Sequence, residues 1–218
     1  MKQVIAVLLA VQMLVVSETR AATNDDDLIN RVRRVVEEIK TAAYPELKDA
    51  KIEIKLFDSK SDYFQTRFTV TSFLFKRRLN CLLMVNRNLI THQVPDDGLR
   101  AVIAHELGHA YYFKSRNRVK LLVLIGLVCK GYTARFERQT DMQAITRGYG
   151  AGLRSYRLWL YGKIPANKIA EKKRNYFSPE EIDLLRRMQI DNPEQMTRWA
   201  KQPPRSLMEI ERVVKSRP

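Results

Sequence analysis

His105-Glu106-Leu107-Gly108-His109 decides how this chain of 218 residues is to be read. Its two histidines stand four positions apart. On an α-helix such positions lie one above the other on the same face, so both imidazoles can point at one metal ion. Glu106 sits one position along, beside that ion without being required to bind it. A general base belongs there if a water held by the metal is to lose a proton. The helix is legible in the flanking residues. Pro95-Asp96-Asp97-Gly98 is a turn with Asp96 or Asp97 as a candidate N-cap. Leu99, Val102, Ile103 and Leu107 then recur at helical spacing, and the element runs on through Ala110-Tyr111-Tyr112-Phe113. The apolar residues predict a rigid, partly buried helix under the motif.

A catalytic zinc takes three protein ligands and keeps one position for water. His92 is the remaining histidine and follows a predicted strand. Downstream, Phe136-Glu137-Arg138-Gln139-Thr140-Asp141 places two acids four apart on a second predicted helix. Glu137 can complete a His-His-Glu set. Asp141 can accept the free ring N–H of a ligand histidine and so fix its tautomer. Taken alone, the same two acids among arginines read as a solvated helix face. The histidine pair upstream tips the reading toward a metal site.

HELGH followed by Glu137-x-x-x-Asp141 resembles the gluzincin metallopeptidases, in particular the branch of the CAAX prenyl protease and the HtpX-like heat-shock proteases. The resemblance covers about Pro95 to Gly150 and is thin elsewhere. It implies that His105, His109 and Glu137 bind Zn²⁺, that Glu106 is the catalytic base, and that Asp141 stands behind the ligands. It also implies an α+β, zincin-like fold: a small, mostly antiparallel sheet packed on the motif helix, with additional C-terminal helices. The chain departs from that group in places. The group often has an acidic-Ala-Asp ending where this chain has Gln139-Thr140-Asp141, and its membrane members carry spanning helices not found in this sequence.

The hydrophobic content of 45% is ordinary for a globular protein. Residues 1–21 read as a secretory signal peptide. Lys2 gives a positive start, Val4 to Val16 is an apolar run broken by Gln12, and Thr19-Arg20-Ala21 offers a cleavage point before the polar Asn24-Asp25-Asp26-Asp27. The run is short of the ~20 apolar residues that span a bilayer. The expected location is therefore periplasmic or secreted. A formal net charge of +15 suits peripheral contact with an anionic membrane or envelope polymer. No nucleic-acid partner is expected, because no aromatic-basic platform or known nucleic-acid motif accompanies the charge. Cys81 and Cys129 can form one disulfide in an oxidising compartment or remain as two buried thiols.

Leu28 to Ala43 reads as an amphipathic helix stopped by Pro45. Lys51 to Phe57 alternates and reads as a strand, Asp58 to Asp62 as a turn, Phe68 to Phe75 as a second strand and Leu79 to Ile90 as a third. Leu83 to Asn88 is expected at the sheet edge, where a peptide substrate could add as a further strand. Leu121 to Cys129 is an apolar run that either packs inside or dips into a bilayer surface. Glu137 to Gly148 is the second metal helix and Leu153 to Tyr161 a further helix. A zinc peptidase needs a donor for its oxyanion, and Tyr149, Arg154, Tyr156 and Arg157 are the candidates, unranked. Lys163 to Asn175 reads as a basic connector. Ser178-Pro179-Glu180-Glu181 opens a helix with a capping box, and shorter helices follow from Asn192 and Ser206.

The expected organisation is a signal peptide (1–21), a metallopeptidase domain (22–162) and a C-terminal helical extension packed on it (163–218). The expected activity is hydrolysis of peptide bonds in a peptide or protein substrate. The alternative is a non-catalytic zinc-binding or basic envelope-associated scaffold.

Overall fold

The computed structural model describes residues 24–68, 80–115 and 130–216. The predicted signal peptide, most of the predicted second strand, the apolar run Leu121 to Cys129 and Cys129 itself lie outside them. Residues 24–43 form a helix, α1, and its predicted stripe of Leu28, Val32, Val35, Val36 and Ile39 is buried. After a 3-10 turn at Pro45–Leu47 come three strands: β1 Lys51–Phe57, β2 Phe64–Phe68 and β3 Asn80–Asn86. The helices that follow are α2 Asp96–Ser115, α3 Lys130–Ala144, α4 Gly150–Tyr161, α5 Ala166–Asn175, α6 Pro179–Asp191, α7 Pro193–Lys201 and α8 Leu207–Lys215. The class is α+β, mostly helical with a small sheet, as the motif led one to expect. No described helix is long and apolar enough to cross a membrane.

The sheet corrects two expectations. Its order is β1-β3-β2, with β3 parallel to β1 and antiparallel to β2, so it is mixed and β3 lies at its centre. Leu83 to Asn88 is therefore not an edge, and its last residues leave the strand for a 3-10 turn at Arg87–Leu89. Pairing with β1 on one side and β2 on the other decides this, and the side chains suit the place. Cys81, Leu83 and Val85 are buried on one face, while Leu82 and Met84 are half-buried on the other. A strand covered on both faces reads as a continuous apolar run, and Cys81-Leu82-Leu83-Met84-Val85 is one. The second strand also begins earlier than expected, at Phe64. Buried Asn86 fixes that start by donating from Nδ2 to the carbonyls of Ser59 and Asp62, each at 2.7 Å.

Helix α2 is buried from Ala101 to Ala110 without interruption, wrapped by the sheet, α3 and α4. Asp96 and Asp97 lie inside its first turn, not at the N-cap; Asp97 accepts from Ser155 Oγ at 2.8 Å. Helices α2 and α4 approach closely because Gly152 has no side chain. A Cβ there would stand 2.2 Å from the Asp97 carbonyl oxygen. The π-helical turn Ile145–Tyr149 joins α3 to α4, and Gly148 adopts φ 95° within it, a conformation open to glycine at little cost. Residues 166–175, expected as a connector, form α5. The Ser178 capping box is present as read: Ser178 Oγ accepts from Glu181 N and Glu181 accepts from Ser178 N. Phe177, Ile182, Leu185, Met196, Trp199 and Ile210 join the same core as α2.

Candidate metal centre

Helix α2 brings His105 and His109 to one face, with the rings perpendicular and their centroids 4.8 Å apart. Helix α3 crosses it and carries Glu137 to the same point. Glu137 Oε2 lies 3.2 Å from His105 Nε2 and 3.3 Å from His109 Nε2. A tetrahedral zinc with ligand bonds of about 2.0–2.2 Å separates its ligand atoms by about 3.3 Å, so these spacings match one edge length of that polyhedron. Glu137 Oε2 is also a buried oxygen without a hydrogen-bond partner. The ring nitrogens are near enough to feel its charge but are not aligned to donate to it. A buried, bare carboxylate oxygen facing two imidazole nitrogens is an electron-rich pocket for a cation. The donor set therefore fits zinc, and His105, His109 and Glu137 are the residues that would hold it.

The tautomers agree. His105 Nδ1 is 2.7 Å from Asp141 Oδ1. A carboxylate only accepts, so Nδ1 carries the proton and Nε2 keeps its lone pair for a metal. Asp141 is completely buried and serves two further donors: Arg157 Nη2 at 2.8 Å on Oδ1 and the Phe177 backbone N–H at 3.0 Å on Oδ2. Burial alone would raise its pKa. The charges of Arg157 and His105 outweigh burial and hold the carboxyl below its ordinary value. In the metal-free protein burial likewise opposes charge on His105, and Asp141 with Glu137 prevail and raise its pKa. Glu137 is shifted the other way by the two imidazoles, after its own burial penalty.

Glu106 lines the same cavity as His105 and is reached from β2. Thr66 Oγ1 stands 2.7 Å from Glu106 Oε2, so a hydroxyl from the sheet steadies the carboxylate of the motif. Below them is a cavity of about 30 Å³ walled by Asp62, Phe64, Val102, Tyr156, Arg157 and Tyr176, with His105 and Glu106 at its head. That is room for a water and little more. Lys172 also lines it and pairs with Asp62 at 2.8 Å. The ring of Tyr176 lies 5.8 Å from that of His105, with the Arg157 guanidinium 4.5 Å from its centroid.

The sequence had named the metal residues and Asp141, and the fold brings them together. The other named residues divide. His92 is not a ligand; its Nδ1 is 2.6 Å from the Tyr63 hydroxyl. Arg154 pairs with Asp183, and Tyr149 lies near Arg100 and Glu38, so neither joins the cavity. Tyr156 and Arg157 do line it, although Arg157 is held by Asp141. Thr66, Thr140 and Tyr176 were not foreseen. Thr140 could have been, since it shares a helical face with Glu137 and Asp141. Thr66 and Tyr176 come from distant segments and leave no local signal.

A helix-borne His-His-Glu centre with a free glutamate beside it, under a small sheet, defines a zincin-like hydrolase. The model of Peptidase family M48 matches residues 27–159, and the chain belongs to that family. Peptidases of this family depend on zinc, so the protein is a zinc metallopeptidase in general terms. Neither the curated proteins nor the solved structures yielded a match. Tyr176 and Phe177, which touch the site, fall beyond the matched residues.

Proposed function

We propose that the protein is an exported zinc endopeptidase in which Glu106 is the general base. The observation that carries this reading is that Glu106, outside the His105–His109–Glu137 set and hydrogen-bonded to Thr66, lines one cavity with His105. The ion, when bound, supplies a Lewis acid that makes water acidic enough to react near neutral pH. Glu106 takes the proton of the attacking water and returns it to the leaving amine. Thr66 donates to one carboxylate oxygen and leaves the other free for the water. Tyr63, Tyr156 and Tyr176 line the same cavity; the Tyr63 hydroxyl is engaged with His92, which leaves Tyr156 and Tyr176 as the candidate donors to a developing oxyanion. Among the described residues β2 is paired on one side only, and it passes beside Glu106. A peptide that adds to its open side would carry an internal bond over the base. Export rests on the leader-like residues 1–21, and the net charge of +15 supports peripheral contact with an anionic envelope surface.

The test is cleavage of denatured casein followed by mass spectrometry. Wild type should cut internal bonds, stop with chelator and resume with zinc. Glu106→Gln should keep stoichiometric zinc and lose roughly 10²–10⁴ in rate. Equal turnover by the glutamine variant would remove Glu106 from the chemistry. Release of terminal residues alone would remove the endopeptidase assignment. Tight zinc without any cleavage by wild type would favour a scaffold.

A further inference from the structure

The second ligand histidine has a support of its own, at the position where this chain departs from the resembling proteases. Thr140 lies on α3 three residues after Glu137 and is buried, 2% exposed. Its hydroxyl donates back along the helix to the Phe136 carbonyl at 2.9 Å. With that proton committed, the oxygen can only accept in other directions. His109 Nδ1 is 3.3 Å away. The N–H must therefore sit on Nδ1, leaving Nε2 as the lone pair that faces Glu137. The separation is long for a hydrogen bond, so the contact is weaker than the 2.7 Å bond between His105 and Asp141.

The threonine can occupy this place because of the motif's own glycine. A Cβ on Gly108 would stand 2.8 Å from Thr140 Cγ2, a distance real side chains do not adopt. The next atoms it would meet, the Thr140 carbonyl and the Tyr44 hydroxyl, are at an ordinary 3.5 Å. The conflict is thus confined to one methyl group. Threonine is stiff about χ1, and rotating the methyl away would pull the oxygen off both Phe136 and His109.

We propose that Thr140 and Gly108 act as a matched pair that positions His109: the threonine oxygen sets the ring's tautomer and plane, and the glycine makes room for the methyl that comes with it. Thr140 is a positioning residue for the metal and not a catalytic one. The inference rests on the metal-site reading above and extends it to a residue outside the ligand set.

The experiment measures zinc affinity of the full chain by chelator competition, with the absorption spectrum of the cobalt-substituted protein as a second readout. Thr140→Val keeps the shape and removes the acceptor; it should weaken zinc about 10-fold and alter the cobalt spectrum. Thr140→Ser keeps the oxygen and should stay within about threefold of wild type. Gly108→Ala should weaken zinc in the wild-type background and lose most of that effect beside Thr140→Ser, where the opposing methyl is gone. A valine variant that binds zinc as wild type does, or a serine variant as weak as valine, would overturn the hydrogen-bond half. An equal loss from Gly108→Ala in both backgrounds would overturn the packing half. If Gly108→Ala folds only beside Thr140→Ser, the pairing is supported directly. His105→Ala serves as the control: should it keep tight zinc, the metal-site reading itself fails, and the two failures are distinguishable.

Discussion

Replacing Asp141 by asparagine is the most informative single perturbation of this protein. The carboxylate is fully buried and takes three donors: His105 Nδ1, Arg157 Nη2 and the Phe177 N–H. Asparagine has the same shape but one acceptor oxygen and no charge. With that oxygen facing His105 and Arg157, its amide group confronts the Phe177 N–H, donor against donor. The Arg157 guanidinium, 4% exposed, loses its counter-ion. Removing one member of a buried pair costs about 3–5 kcal/mol, a large part of a net stability of about 5–15 kcal/mol. At about 2–4 °C per kcal/mol for a chain of this size, the metal-free protein should melt roughly 6–20 °C lower. Loss of the imidazole's support should weaken zinc by about 10–100-fold, or about 1.4–2.8 kcal/mol. Thermal unfolding in chelator measures the first effect and chelator competition the second. The double variant Asp141→Asn/Arg157→Met separates them: removing the stranded charge should restore most of the stability and none of the zinc affinity. A melting point within about 2 °C of wild type, together with zinc affinity within a factor of about two, would refute the view that this carboxylate joins the metal site to the C-terminal segment.

Thr66→Val should lower kcat about 10-fold with KM and zinc content unchanged, and Thr66→Ser should restore it; a change in KM alone would mean that Thr66 meets substrate and does not steady Glu106. In the metal-free protein His105 has a raised pKa, so its contribution to stability is full below its ordinary value of 6.5 and is lost as pH rises through the raised value. Zinc requires that ring deprotonated, so the gap in melting temperature between zinc-loaded and metal-free protein should widen as pH rises above 6.5; curves that stay parallel would contradict the assigned protonation. Gly152→Ala would set a Cβ 2.2 Å from the Asp97 carbonyl oxygen. It should destabilise by about 1–3 kcal/mol or more through forced separation of α2 and α4, read as a lowered denaturant midpoint.

The local elements were legible because their causes are local. The stripe Leu28, Val32, Val35, Val36 and Ile39 specifies one face of a helix, and the Ser178–Glu181 capping box closes within four residues. What failed depended on what lies alongside. Strand β3 is central because it pairs with β1 on one side and β2 on the other, and which segments pair is not recorded in β3 itself; the apolar run from Cys81 to Val85 is only consistent with that place. The Lys163 to Asn175 stretch looked like a connector because its charges hide its period, yet Ala166–Asn175 is helical, with Ile169 packed against the core.

The amino-acid order by itself determined the ligand geometry within each helix. A four-residue spacing puts His105 above His109, and Glu137 and Asp141 on one face, whatever the rest of the chain does. Only the tertiary structure decided that the two faces meet, that Thr66 from the sheet reaches Glu106, that Thr140 settles over Gly108 against His109, and that Arg157 and the Phe177 backbone complete the surroundings of Asp141. The physical reason is range. Helical periodicity acts over a few residues and is written into neighbouring positions. A hydrogen bond between segments far apart in sequence depends on how packed elements cross, and no short stretch of sequence encodes that crossing.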